Sequence, residues 1–186
     1  MNRLIVYSHP YEGSLNKHIL MRIKESYKDA DVIDLHEDNF NPVLDASNLS
    51  VYEKGETKDP LVIKYQDMIK NADKIIFVFP IWWADMPAMV KGFIDKVMLK
   101  NFAYYIPKKG MPKGYLNDKE VVVINTLAAP KWVYKFIFKN PVKKSLINAT
   151  LKFCGIKKTK HYLIDSVKDK SKDKLNLEID KIIKKL

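Results

Sequence analysis

The feature that most constrains this chain is an alternation: short apolar runs rich in β-branched residues take turns with longer stretches of helical period. Leu4–Tyr7, Asp31–Leu35, Ile75–Phe79 and Val121–Ile124 predict buried parallel strands, and Tyr162–Ile164 a shorter fifth. Leu15–Tyr27, Leu61–Asn71, Pro87–Leu99 and Ser171–Leu186 predict helices. In the third of these, Met86, Met89, Val90, Phe93, Ile94 and Val97 share one face. Strand and helix in turn imply an α/β fold, an open parallel sheet with right-handed crossovers and helices on both faces. Ligands of such sheets bind beyond the carboxyl ends of the strands, where the strand order reverses. The site is therefore expected in the loops after the first, third and fourth strands. His36–Pro60 and Lys100–Asp118 read as irregular segments too long for plain connections.

The 186 residues suit one domain, 1–186, with no repeat and no low-complexity tract. The formal charge of +11 favours anionic partners without choosing among nucleotides, phosphates, nucleic acid and acidic surfaces. The aromatics fall in ligand loops and the lysines follow no recognition motif, so nucleic acid is not expected as a partner. Cys154 is the single cysteine, which excludes an internal disulfide. There is no leader-like segment and no apolar run long enough to span a membrane, and the cytoplasm is the expected compartment. His9, His18, His36 and His161 are dispersed without ligand spacing, so no metal site is expected, and the G-x-S-x-G elbow of hydrolases is absent.

Ser8–Asn16 runs from the first strand to the first helix with Gly13, Ser14 and Asn16, and a helix N-terminus there attracts an anion such as phosphate. Ser14 serves equally as a helix cap and Gly13 as a turn residue. The loop is neither a Walker loop nor G-x-G-x-x-G. After the third strand come Pro80, Ile81, Trp82, Trp83 and Ala84, two adjacent indoles where a flat ring could lie. After the fourth, Thr126, Leu127, Ala128 and Ala129 allow close approach to the backbone. Lys131–Phe138 is basic and aromatic: a core helix, a lid or an interaction surface.

Six short pieces in order carry a resemblance. They are x-H-P-x-x-x-S-x-N over Ser8–Asn16, Asn39-Phe40-Asn41-Pro42, Ala72-Asp73, P-x-x-W-x-x-x-P-A-x-x-K-G-x-x-D over Pro80–Asp95, Phe102-Ala103-Tyr104, and Phe153-Cys154-Gly155. Across nearly its whole length the chain resembles the flavodoxin-like NAD(P)H:quinone oxidoreductases, a family that includes ancillary flavoproteins of potassium efflux. The resemblance implies a five-stranded sheet of order 2-1-3-4-5 and a flavin, FMN or alternatively FAD. It implies NADPH or NADH as hydride donor, a quinone-like acceptor taken in ping-pong fashion, and a homodimer. His9, Ser14, Leu15, Asn16 and Lys17 match positions around the flavin phosphate. Pro80, Ile81, Trp82, Trp83, Ala84, Thr126, Leu127, Ala128 and Ala129 match the cofactor loops. Tyr134 and Tyr104 match catalytic-site aromatics, Tyr134 near the flavin and Tyr104 lining the acceptor pocket. The family's frequent Thr-Thr-Gly-Gly is here Thr126-Leu127-Ala128-Ala129, and a family histidine falls on Asn140. A flavodoxin-type electron carrier and a regulatory subunit of a membrane transporter are the rival expectations.

Overall fold

A computed structural model describes residues 1–186. Its sheet uses β1 (Arg3–Tyr7), β2 (Asp31–Asp34), β3 (Lys74–Pro80), β6 (Glu120–Thr126) and β7 (Lys158–Ile164), all parallel, in the order β2-β1-β3-β6-β7. In terms of successive sheet strands this is the expected 2-1-3-4-5. Both faces of the central strands are apolar, as burial under helices on both sides requires. Leu4, Val6, Ile75, Phe77 and Phe79 face one core with α3 (Pro60–Asn71) and α4 (Ala88–Val97). Ile5, Tyr7, Ile76 and Val78 face the other with α1 (Leu15–Ser26) and α5 (Lys172–Ile183).

The irregular segments hold more order than the sequence suggested. His36–Pro60 contains α2 (Ala46–Tyr52), whose signal is a capping box between Asp45 and Asn48; it buries only Val51, too little for a helical stripe. Lys100–Asp118 contains the two-residue strands β4 (Tyr104–Tyr105) and β5 (Lys113–Gly114), paired antiparallel. The last sheet strand begins at Lys158 rather than Tyr162, and as an edge strand it carries polar residues that mask its period. The Lys131–Phe138 region contains a π-helical segment at Val133–Ile137, and a second runs from Lys143–Leu151. In the last helix Leu175, Ile179, Ile182 and Ile183 are buried, while Leu177 is exposed.

Two ties fix the frame. Lys96 is buried, and its ammonium donates to the Asn41 carbonyl at 3.0 Å and the Asp59 carboxylate at 3.0 Å, holding the Asn39–Pro42 corner against α4. Pro42 also lies against Gly92, where a Cβ would overlap its carbonyl oxygen. Asn125, fully buried, donates from Nδ2 to the Phe79 carbonyl at 2.9 Å, so its Oδ1 accepts from Nε2–H of His161 at 2.8 Å. Strands β3, β6 and β7 are thereby stapled from within.

Two outcomes follow. Gly92→Ala should improve helix propensity by about 1 kcal/mol. The rigid Pro42 backbone opposes it, and the net is a loss of about 1–3 kcal/mol, read from the urea midpoint; a stabilised variant contradicts the packing. Burial, helped by Lys143 and Lys135, holds the His161 pKa near about 4 against an ordinary 6.5. Between those values the unfolded chain takes up a proton that the folded chain refuses, so stability is full above pH 6.5 and declines as pH falls toward about 4. The decline reaches at most about 3 kcal/mol, and His161→Gln should flatten it.

Candidate functional site

The tips of β1, β3 and β6 are bound to one another before any ligand is considered. Asn16, buried in the first turn of α1, donates from Nδ2 to the Thr126 hydroxyl at 2.9 Å. The Thr126 carbonyl accepts from the Ile81 amide at 2.8 Å. His9 meets Trp82 edge-on, with ring centroids 5.6 Å apart. The three sequence-predicted loops thus form one cluster at the switch point between β1 and β3.

The first loop has the makings of an anion site. Ser14 caps α1 and accepts from the Lys17 amide at 3.0 Å, while the Leu15 and Asn16 amides have no acceptor. Asn16 Oδ1 and the Tyr7 hydroxyl are buried polar atoms without partners. His9 Nδ1 accepts from the Tyr11 amide at 3.1 Å, and burial followed by His36 lowers the His9 pKa. The neutral ring therefore carries its proton on Nε2, free to donate. Lys17 differs from a free cation: its ammonium pairs with Glu12 at 3.0 Å and lies 3.9 Å from Asp34. A polar cavity of about 380 Å³ opens here between His9, Glu12, Lys17, Asp34 and His36. Unpaired amides, an orphaned buried hydroxyl and a helix N-terminus fit the phosphate of a flavin mononucleotide. Sequence reasoning missed Tyr7 and His36; a tyrosine closing an otherwise apolar strand was the available signal.

The second loop is a tight turn. Trp82 and Asp85 exchange backbone hydrogen bonds at 3.0 Å, and the two residues between them, Trp83 and Ala84, have φ of 48° and 65°. Such a turn favours Asn-Gly, and each non-glycine residue held there costs about 1–3 kcal/mol. The indole of Trp83 is 102% exposed and that of Trp82 44%, and the Trp83 and Ala84 amides have no acceptor. An unsupported indole on a strained turn with free amides is arranged for a flat polar-edged ring.

Tyr134 holds this turn. Its buried hydroxyl donates to the Ala84 carbonyl and accepts from the Val142 amide, each at 3.2 Å. Burial is the main cause of a pKa pushed up to about 12, so the phenol stays protonated. In the third loop Leu127 is buried with Tyr134 and Leu163, so only Ala128 and Ala129 present themselves outward. No positive φ occurs at Leu127–Ala129; in this cluster it sits at Trp83 and Ala84. Pro80 is buried at the end of β3. Tyr104 packs edge-on against Phe153, with centroids 4.8 Å apart, and lies, like Ile81, against the larger apolar core. Replacing Trp83-Ala84 by Asn-Gly should raise stability by about 1–2 kcal/mol in thermal or urea unfolding; an unchanged midpoint means the turn stores no strain.

All 186 residues match the family model described by a flavodoxin-like fold. A curated relative from Haemophilus influenzae, called an uncharacterized NAD(P)H oxidoreductase, is 32% identical over 90% of this chain and 85% of its own length. The ribosyldihydronicotinamide dehydrogenase [quinone] of Mus musculus is 30% identical over 83% and 77%. Among solved structures, an FMN-dependent NADH-azoreductase of Bacillus anthracis in complex with FMN superposes with a TM-score of 0.79 at 20% identity, covering 100% of this chain and 97% of that one, a likeness of fold. With strand order, switch-point loops and full-length match in agreement, the chain belongs to the flavodoxin-like NAD(P)H oxidoreductase family.

Proposed function

We propose that this protein is a flavin-dependent NAD(P)H oxidoreductase that holds FMN across the tips of β1, β3 and β6 and reduces quinone-like acceptors. The observation that carries the reading is the Asn16–Thr126–Ile81 tie, which brings an unpaired helix N-terminus and a strained tryptophan turn into one crevice. In this reading Ser14, Leu15, Asn16 and His9 receive the phosphate, and Lys17 adds charge when it leaves Glu12. Ile81, Trp82, Trp83 and Ala84 meet the ring from one side, and Thr126, Ala128 and Ala129 from another. FMN when bound supplies the hydride chemistry, and the protein supplies position and a field of amide donors.

Tyr134 acts here as a positioning residue. A phenol with a pKa near about 12 moves no proton at neutral pH; its hydroxyl fixes the Ala84 carbonyl and with it the orientation of the Trp83 and Ala84 amides. Asn140 cannot take part in a histidine relay, and the protonated acceptor draws its protons from solvent. Tyr104 and Phe153 form an aromatic wall on another side, which we assign to the acceptor in a pairing of two copies. Exposed Trp83, Trp132, Phe136, Ile137 and Phe138 support a homodimer, because an apolar patch of this kind is rarely left in water. No helix is long and apolar enough to cross a membrane, so association with a membrane transporter would be peripheral.

The experiment is an absorption spectrum of the FMN-reconstituted protein followed by anaerobic titration with NADH and with NADPH. Bleaching by either, and parallel-line kinetics with a quinone, are expected. A chain that retains no flavin refutes the reading, and flavin that only partner proteins can reduce turns it into an electron carrier. Thr126→Val and Asn16→Ala should each weaken FMN binding about tenfold with the fold intact, since each unties the phosphate loop at the loss of about one hydrogen bond.

A further inference from the structure

A cavity of about 490 Å³ lies against the free edge of β7. It shares none of the residues assigned to FMN. Thr159, His161 and Leu163 of β7 line it, with residues of both π-helical segments and of α5. Lys131, Lys135, Lys143 and Lys181 converge on it from three separate parts of the chain.

Three of the four lysines in this cavity are uncompensated. Lys131 pairs with Asp165 at 3.7 Å, whereas Lys135, Lys143 and Lys181 have no carboxylate partner. The one acidic residue in the wall, Glu178, is taken by Lys170 at 2.7 Å. Neutral donors add to the ammonium groups. Asn140 and its neighbour Lys139 have φ of 51° and 60°; Asn140 Oδ1 accepts the Lys143 amide at 3.4 Å, which leaves its Nδ2 group without an acceptor. His161 feels the same field, since Lys143 and Lys135 add to burial in keeping its ring neutral. Edge strands commonly carry lysines that discourage strand pairing, and Lys158 and Lys160 of β7 serve that end. The cavity lysines differ in coming from elements on either side of the edge and turning toward one space. Ile147, Leu163 and Ile182 give that space an apolar floor.

Converging cations, spare amide donors and an apolar floor in a space of ligand size specify a phosphorylated organic molecule. We propose that this edge pocket binds a nucleotide-sized organic phosphate at a site separate from the FMN crevice. The phosphate lies among Lys135, Lys143 and Lys181, and the organic part against Ile147 and Ile182. A link to the crevice is built in: Val133–Ile137 presents Lys135 to the pocket, while Tyr134 of the same segment holds the Ala84 carbonyl. Occupancy therefore shifts the KM for the nicotinamide donor severalfold. This linkage rests on the flavin reading; the binding itself does not.

Titration calorimetry of the FMN-loaded protein at low salt, with ADP, pyrophosphate and adenosine as probes, decides the matter. ADP should bind with a dissociation constant below about 1 mM and adenosine about tenfold more weakly or not at all. The pair Lys135→Glu with Lys143→Glu should weaken ADP at least about tenfold. Lys168→Glu with Lys185→Glu changes the net charge equally, away from the pocket, and should leave binding unchanged. Circular dichroism checks folding, and Lys181→Glu alone stands in if the first pair fails to fold. ADP should also raise the His161 pKa above about 4, seen in its imidazole NMR signals, because an adjacent anion favours the charged ring. No binding at millimolar ADP, equal loss in both charge-reversed pairs, or displacement of ADP by added FMN overturns the proposal. Should the chain retain no flavin, the same titrations on the flavin-free protein still separate the two sites, because only pocket variants would lose ADP.

Discussion

The hydrogen bond from Asn16 to Thr126 is the interaction on which the candidate site depends. It joins residues 110 positions apart, is buried, and lies where α1 leaves the first loop and β6 ends. The Ile81 amide uses the carbonyl of the same threonine, so one residue fixes the spacing of three strand tips. A buried donor left without its acceptor loses roughly 1–3 kcal/mol. The tie therefore resists sliding of one loop past another more strongly than apolar contact could, because apolar contact carries no direction.

Around this fixed point the chain places groups that make little sense as scaffold. Two residues with side chains occupy left-handed positions in the Trp82–Asp85 turn, and the fully exposed indole of Trp83 contributes nothing to a core. Tyr134 then commits a buried hydroxyl to keeping that turn in place. Strain retained at a surface and braced from below is the pattern of a preorganised binding surface, in which conformational work is done during folding rather than on binding.

Much of this was legible because local and global signals agreed. The apolar runs at Leu4–Tyr7 and Ile75–Phe79 could only be buried strands, and their sequence order with intervening helices fixed where a crevice would open. Helix α2 was not legible, since it buries one side chain and depends on a capping box. The polar half of β7 hid for a related reason: an edge strand faces water and loses its apolar period. Nor could Lys17 be fully placed from sequence, because its approach to Asp34 depends on β2 lying beside β1. The packing of Tyr104 on Phe153 was not legible either, because β4 pairs with β5 outside the main sheet.

The three tryptophans of this chain are all surface residues, 44%, 102% and 60% exposed at Trp82, Trp83 and Trp132. Intrinsic indole emission from the flavin-free single chain will accordingly be red-shifted and will change little when the core melts. What it will register is whatever comes to rest on the loop tips, so the same fluorophores that are poor witnesses to unfolding are direct reporters of occupancy.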